Sequence, residues 1–416
     1  MGRFALSLSY HGYKKKMSQA MKRNQFCALI AAIIMLLALP APAQDSIKVS
    51  LVTVYPGSEI FEVYGHTELR VTDSGSDLYY NYGLFDFGQG FVWRFVRGET
   101  DYLCGAIPSD IALFGYGQRK VVEQELNLDQ EQAATVRALL RENALPENAT
   151  YRYKFFSDNC ATRPRDLIEQ AAGNALRYAS PSTGHVTYRD MMSQYNGNYS
   201  WERLGIDLTL GASVDTAITS RQADFLPMQL MERFAHATIA HNGVAMPLVR
   251  DTKIVIDGSE QGTILPPTPW YASPLALSLL LLALTALATW TDWRRKRVSR
   301  WVDSIVFIAY GAAGCLIFFL IFISTHEGTS PNYNGFWLHP LYLVPAVLVW
   351  VKKGQRLLLC YHAINALELG VFIVLAPFLP QHFNVAFYPL MLAVMLRMLN
   401  YILISRHSQV CYTPSK

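Results

Sequence analysis

The sequence predicts an α+β outer domain followed by an all-α membrane bundle of five helices. Three observations carry this. Of the 416 residues, 51% are hydrophobic and only 16% charged, a balance too apolar for an ordinary soluble protein. The apolar excess is concentrated after Ser273, in five segments, while residues 45–270 mix polar and apolar positions. Within that first part, alternating β-rich runs come first and helical patterns follow. The net charge of +4 is small and gives no case for a nucleic-acid partner; Lys and Arg cluster beside the apolar segments instead.

The elements follow in order. Residues 1–43 read as a secretory signal. "KKKMSQAMKRNQ" is a basic leader, "FCALIAAIIMLLALP" a short apolar core, and Ala41-Pro42-Ala43 an A-x-A cleavage site. Met17 and Met21 are alternative starts. The outer domain is expected over 44–270. "IKVSLVTVY" (47–55), "EIFEVYGHTELRVTD" (59–73, interrupted at Gly65), "DLYYNYGLFDF" (77–87), "RKVVEQELNL" (119–128) and "TYRYKFF" (150–156) read as strands. Asp129 with Gln132 three positions on is a capping-box signature opening a helix that stops before Pro146. "FFSDNCATRPRDLIEQAAG" (155–173) is a strand-to-helix corner, with Thr162 as the expected N-cap, Pro164 in the first turn and Gly173 as the stop. "SRQADFLPMQLMERFAHATI" (220–239) reads as helix broken at Pro227.

The membrane domain is expected over 271–406, with a cytoplasmic tail at 407–416. Its segments are "SPLALSLLLLALTALATW", "DSIVFIAYGAAGCLIFFLIFIS", "GFWLHPLYLVPAVLVWV", "LLLCYHAINALELGVFIVLAPFL" and "NVAFYPLMLAVMLRMLNYILI". Most reach the ~20 residues a crossing needs. The third is short and holds Pro340 and Pro345. Orientation follows from charge. Arg294, Arg295, Lys296, Arg297 and Arg300, then Lys352, Lys353 and Arg356, then Arg406 fall on one side if all five segments cross, and the excess of positive charge makes that side the cytoplasm. The outer domain then faces the periplasm from the inner membrane. The polar loop "STHEGTSPNYNGFWLHP" (324–340) faces the same compartment. Glu368 and Arg397 lie within spans, where ionisable groups are functional or paired, and pairing with each other is one expectation.

Chemistry centres on one cysteine. Cys104 and Cys160 are the outer domain's cysteines after signal removal. In an exported protein they invite a disulfide, which would make the domain a non-enzymatic module. Their settings differ, however. Cys104 sits in the apolar run "DYLCGAIP". Cys160 sits at a helix start, where unpaired N–H groups and the helix dipole stabilise a thiolate. A nucleophile needs a base, and "YGHTELRV" places His66 on an early strand. His on a strand, a polar strand after it, and Asn-Cys at a helix start form a permuted papain-like constellation, with the usual Cys-then-His order reversed; catalysis requires spatial adjacency and not chain order. No zinc, P-loop or dinucleotide motif is present, and neither metal nor cofactor is expected. His185, His236 and His241 lack ligand spacing and read as ordinary histidines.

These features resemble the Lnb family of lipoprotein N-acyltransferases, over nearly the whole chain beyond the signal. The resemblance rests on "YGHTELRV", "YYNYGLFDFG", "PENATYRYKFFSDNCATRPRDLI", "GIDLTLGASVDTAI" and "STHEGTSPNYNGFWLHPL". It implies Cys160 as nucleophile and His66 as base, with Asn81, Asp86 or Tyr82 as the third polar member. It implies a membrane phospholipid as acyl donor and a diacylated lipoprotein as acceptor. Asn159, Arg163, Arg165, Tyr64, Tyr82, His326, Asn332 and Asn334 are the expected substrate contacts; Arg163 and Arg165 would meet the donor phosphate or else pair with Asp166 and Glu169. A hydrolase using the same Cys–His pair is the alternative chemistry.

Overall fold

Alternation of buried and exposed side chains builds the outer domain around one antiparallel sheet. A computed structural model describes Met17 and residues 46–410, except Ser58, Ile60, Asp86, Phe87, 180–183 and 259–266. Met17 apart, the expected signal and its cleavage site lie outside the described residues. Strands β1 (Lys48–Val54), β2 (His66–Thr72) and β3 (Asp77–Leu84) are followed by a short helix, α1 (Phe91–Arg97), then β4 (Asp101–Pro108), α2 (Ser109–Gly115), β5 (Val121–Leu126), α3 (Gln130–Asn143), β6 (Thr150–Arg152) and α4 (Thr162–Ala172). After β7 (Leu176–Arg177) come helices α5 (Tyr188–Asn196), α6 (Ser200–Thr209), α7 (Ser220–Ala223) and α8 (Pro227–Ala235), then β8 (Thr238–His241), β9 (Val244–Pro247) and β10 (Val249–Ile256). The main sheet has the order β10-β5-β1-β2-β3-β4-β6, and β7, β8 and β9 form a second, small sheet.

One face of the main sheet presents Leu51, Leu69, Val71, Tyr80, Tyr82 and Cys104 to α3, α4 and α8. The other presents Val52, Val54, Tyr79 and Val121 to Ala112 of α2 and to Tyr116. Asp129 caps α3 in the expected box, accepting from the Gln132 N–H at 2.8 Å while the Gln132 side chain accepts from the Asp129 N–H at 3.1 Å. Pro227 occupies the first turn of α8, so the expected break is the boundary between α7 and α8. Five strands differ from the sequence reading, among them β7, β8 and β9, which fall where the sequence reads as turns and helix. Asp101–Pro108, read as a strand end, is a complete strand. Val249–Ile256, read as no element, pairs with β5 at the sheet's edge. Its side chains are mostly exposed, so it lacks the apolar period by which a strand is recognised.

The C-terminal half is helical: α9 (Pro274–Arg295), α10 (Arg300–Phe322), α11 (Leu343–Leu348), α12 (Gln355–Leu375) and α13 (Phe387–Val410). Among the described residues, four stretches are long and apolar enough to cross a membrane: Pro274–Arg295, Arg300–Phe322, Lys352–Phe378 and Phe387–Ser405. The third segment of the sequence reading crosses in another way. It descends antiparallel along α10 as a broken path, with 3₁₀ turns at Tyr333–Phe336 and Pro340–Tyr342 before α11. Thr329 Oγ1 donates to the Leu320 carbonyl at 2.9 Å. A Cβ on Gly314 would meet the His339 backbone at 2.4 Å, and one on Gly311 would meet Leu343 at 2.7 Å. Lower down, Ser304 Oγ donates to the Ala346 carbonyl at 2.8 Å, and the Trp301 and Trp350 rings lie 4.9 Å apart. Irregular backbone is tolerated at membrane depth where protein buries it. The two close approaches to glycine provide that cover. This crossing puts Lys352, Lys353 and Arg356 at the same end as Arg294–Arg300.

Arg397 does not pair with Glu368. It is fully buried and bonds Asp292 of α9 at 2.7 Å and Asp303 of α10 at 2.6 Å, with Thr289 Oγ1 at 3.0 Å. Glu368 lies on the exposed side of α12. The described residues from Ile47 onward form one compact unit, so the outer domain and the bundle pack against each other.

Candidate active site

Gly65 has φ 76°, the left-handed region, and a side chain there would also meet the Val54 carbonyl at 2.8 Å; glycine therefore lets the chain turn directly into β2. His66 is the first residue of that strand. Strand alternation puts His66 and Glu68 on one face, and register places Glu68 directly opposite Asn81 of β3. The three side chains interlock. His66 Nε2 lies 3.1 Å from Asn81 Oδ1 and 3.4 Å from Glu68 Oε1, and Asn81 Nδ2 donates to Glu68 Oε1 at 2.6 Å. The Gly83 N–H fixes Asn81 Oδ1 at 2.6 Å, and the Tyr116 hydroxyl donates to the other Glu68 oxygen. A Cβ at Gly83 would fall 2.6 Å from His66 Cε1, so glycine also makes room for the imidazole. With Nε2 engaged, Nδ1 is the nitrogen left for a partner.

That partner is Cys160, which is buried and hydrogen-bonded to the His66 ring. Burial alone would raise the thiol's pKa and lower the imidazole's. Mutual attraction and the shared hydrogen bond outweigh it, with Glu68 helping the imidazolium and the N–H groups of Thr67 and Cys160 helping the sulfur. The thiol is held below its ordinary value and the imidazole above it, the signature of a thiolate–imidazolium pair. The Tyr153 hydroxyl also reaches the sulfur. Cys104 contrasts with this. Burial pushes its thiol up to about 11, against the Tyr82 hydroxyl it contacts. Both cysteines are free. The disulfide expectation is thereby overturned: Cys104 packs in the core beside Tyr82, and Cys160 faces His66.

Asn159 organises the corner that carries Cys160. Its Oδ1 accepts from the Ala161 and Thr162 N–H groups at 2.8 and 2.9 Å, and its Nδ2 donates to the Phe155 and Phe225 carbonyls, both at 2.8 Å. Asn159, and not the expected Thr162, thus supplies the cap. All its polar atoms are engaged within the fold.

The other expected contacts are dispersed. Arg163 pairs with Asp158 at 2.6 and 2.9 Å and lies 3.7 Å from the Tyr151 ring centroid. Arg165 is 3% exposed and bonds Asp166 at 2.7 Å and the Arg221 carbonyl at 2.8 Å. Of the two pairings expected for these arginines, Arg165 makes them and Arg163 takes Asp158 instead. Tyr64 packs edge-on against Phe155 at 5.2 Å. Tyr82 lies on the core side of β3, opposite Asn81, and accepts from Asn143 at 2.8 Å. Asp86 lies outside the described residues. Asn332 and Asn334 donate to the last-turn carbonyls of α6 (Asp207, Leu208 and Thr209) at 3.0–3.1 Å, satisfying a helix end. His326 Nε2 meets the Phe95 carbonyl at 2.5 Å.

Sequence reasoning did not select Glu68 or Tyr153, and it noted Glu327 only as one polar group of the 324–340 loop. Glu327, from the loop after α10, accepts from the Phe156 and Ser157 N–H groups at 3.1 and 3.2 Å and from the Ser157 hydroxyl. It grips the turn leading to Cys160. Glu68 was signalled by its place two residues after His66 on one strand face.

Comparison with known families agrees with this architecture. Residues 42–194 match the Lnb N-terminal periplasmic domain, and residues 267–409 match the Lnb transmembrane domain. No curated protein and no solved structure shows a significant match. Fold and matches together define a multi-pass membrane protein with an antiparallel-sheet periplasmic domain. The chain belongs to the Lnb family, membrane-anchored periplasmic enzymes of lipoprotein modification.

Proposed function

We propose that the protein is a lipoprotein N-acyltransferase of the inner membrane, using Cys160 to carry a fatty acyl chain from a phospholipid to the N-terminal amine of diacylated lipoproteins. The observation that carries this reading is the Cys160–His66 pair, braced by Asn81 and Glu68, on a domain joined to the membrane half through Glu327.

The Cys160 thiolate attacks the ester carbonyl. The Thr67 and Cys160 N–H groups and the Tyr153 hydroxyl, all of which reach the sulfur, are the donors at hand for the developing oxyanion. As the C–O bond breaks, the His66 imidazolium gives its proton to the departing lysophospholipid oxygen, leaving a thioester and a neutral imidazole. The lipoprotein's α-amine then attacks the thioester and His66 takes the amine's proton. The C–S bond breaks, an amide forms, and the thiolate–imidazolium pair is restored. An α-amine titrates near 8, so a usable fraction is neutral at pH 7. Asn81 and Glu68 hold the ring through Nε2 and stabilise its charged form. Arg165, being buried and paired, is assigned no contact with the donor.

The test is mass spectrometry of purified full-length protein given phospholipid and then a diacylated lipopeptide. The expected states are a hydroxylamine-labile acyl group on Cys160, discharged with gain of one acyl chain on a free α-amine but not on an N-acetylated lipopeptide. Release only as free fatty acid with the amine present would replace this reading with the hydrolase.

A further inference from the structure

A ladder of rings leads away from Cys160. Tyr153, whose hydroxyl reaches the sulfur, stacks on Tyr102 at 4.2 Å, Tyr102 on Phe85 at 5.0 Å, Phe85 on Phe91 at 6.1 Å, and Phe91 on Phe95 at 5.9 Å. Each successive pair is inclined by only 24–27°. The five rings come from four separate parts of the chain, yet they form one half-exposed apolar strip.

The strip ends on α1. That helix has no acidic residue in its first turn and no buried residue; Val92 is 73% exposed and Trp93 58% exposed. Trp93 lies 5.6 Å from Phe319, near the outer end of span α10, and the Ser324 hydroxyl donates to the Val96 carbonyl at 2.9 Å. A groove of about 500 Å³ runs along the helix, lined by Gly88, Gly90, Phe91, Val92, Trp93 and Val96. Aromatic and aliphatic side chains exposed beside a span belong at the bilayer surface. An exposed apolar strip continuous with a membrane helix at one end and a reactive thiol at the other has one fitting occupant, a hydrocarbon chain drawn from the bilayer.

We propose that the groove on α1 and the ring ladder are the binding track for the donor lipid's acyl chain, with the chain lying along Phe91, Phe85 and Tyr102 and its ester at Cys160. The proposal rests on the acyltransfer reading and adds where the donor binds. It makes the enzyme a selector of long chains, because each methylene laid on the strip adds apolar burial that a short chain lacks.

The experiment measures acylation of Cys160 on the full-length protein in phospholipid nanodiscs, with a long-chain phospholipid and, separately, p-nitrophenyl butyrate. In Phe91→Ser and Trp93→Ser the ratio of long-chain to butyryl loading should fall about tenfold, the equivalent of roughly two buried methylenes. An unchanged ratio overturns the track and leaves the acyltransfer reading standing. Absence of loading on the wild-type protein from every donor overturns both. A second measurement needs no variant: a phospholipid with a diazirine at its chain end, photolysed with the wild-type protein. Adducts on residues 85–96 are expected, and adducts confined to the spans would overturn the proposal.

Discussion

At the scale of single residues, the outer domain holds two buried thiols and treats them oppositely. Cys104 lies on the core face with its thiol pushed up, while Cys160 has a cation, a tyrosine hydroxyl and two backbone N–H groups around its sulfur. Iodoacetamide labelling against pH separates them. Alkylation of Cys160 should have its midpoint below the ordinary thiol value of about 8.5. The sign follows from the pair: His66⁺ stabilises the thiolate, so weakening the imidazolium raises the thiol's pKa. Glu68→Gln should therefore move the midpoint upward, and His66→Ala should move it further and cut turnover about 10²–10⁴-fold. A wild-type midpoint at the ordinary value would show that no such pair exists. Asn81→Ala should lower turnover more than it lowers alkylation, because ring orientation matters more to proton transfer than to thiolate formation. Cys104→Ala should leave the Cys160 profile unchanged and cost only packing.

At the scale of elements, the position of Cys160 depends on a loop from the membrane half. The turn before Cys160 is closed on itself by mutual backbone bonds of Lys154 and Asp158 at 2.9 and 3.0 Å, and Glu327 fills it with three accepted hydrogen bonds. Glu327→Gln keeps the shape but loses the charge and one acceptor. It should lower kcat with little change in the alkylation midpoint; Glu327→Ala should lower it further, and Asp should rescue poorly because it is one methylene short. Equal loss of kcat and of thermal stability across all three would mark the residue as merely structural. This contact also shows what local reading can reach. His66, Cys160 and the Asp129 box were legible because each announces itself within a few residues. The Glu327 contact joins positions 170 residues apart, and no periodicity carries that. Tyr153 was hidden differently: in "TYRYKFF" its ring served the strand pattern, and only the stacking against Tyr102 of β4 gives it a direction. Asn332 and Asn334 stood out as polar groups near the membrane, but their amides serve the end of α6.

At the scale of the whole molecule, the bundle has to hold the outer domain at one depth, and two features do this from opposite ends. Near the outer surface, Ser324 and Thr325 bond the Val96 and Arg97 carbonyls, and the asparagine pair grips α6. At the other end, Arg397 of α13 joins Asp292 of α9 and Asp303 of α10, and Asn400 adds a bond to Asp292 at 2.9 Å. Breaking one side of a buried ion network leaves uncompensated charge at a cost of about 3–5 kcal/mol. Arg397→Leu should lower the thermal midpoint in detergent sharply, and adding Asp292→Asn and Asp303→Asn should recover part of it; no recovery would mean that packing, not charge, is what Arg397 supplies. The broken crossing along α10 fixes topology in the same way. Because that segment reaches from the Leu320 level to the Trp301 level, Lys352 must emerge on the same side as Lys296, opposite the outer domain, although no long helix connects it to the loop at 324–340. Single cysteines placed at 296 and 352 in an otherwise cysteine-free chain should both resist an impermeant maleimide in intact cells and both react after permeabilisation, while one placed at exposed Lys253 should react from outside. Labelling at 352 alone from outside would mean that the broken segment turns back within the membrane. It would then place Gln355–Leu375 in the opposite direction and deprive the loop carrying Glu327 of its support beneath the active site.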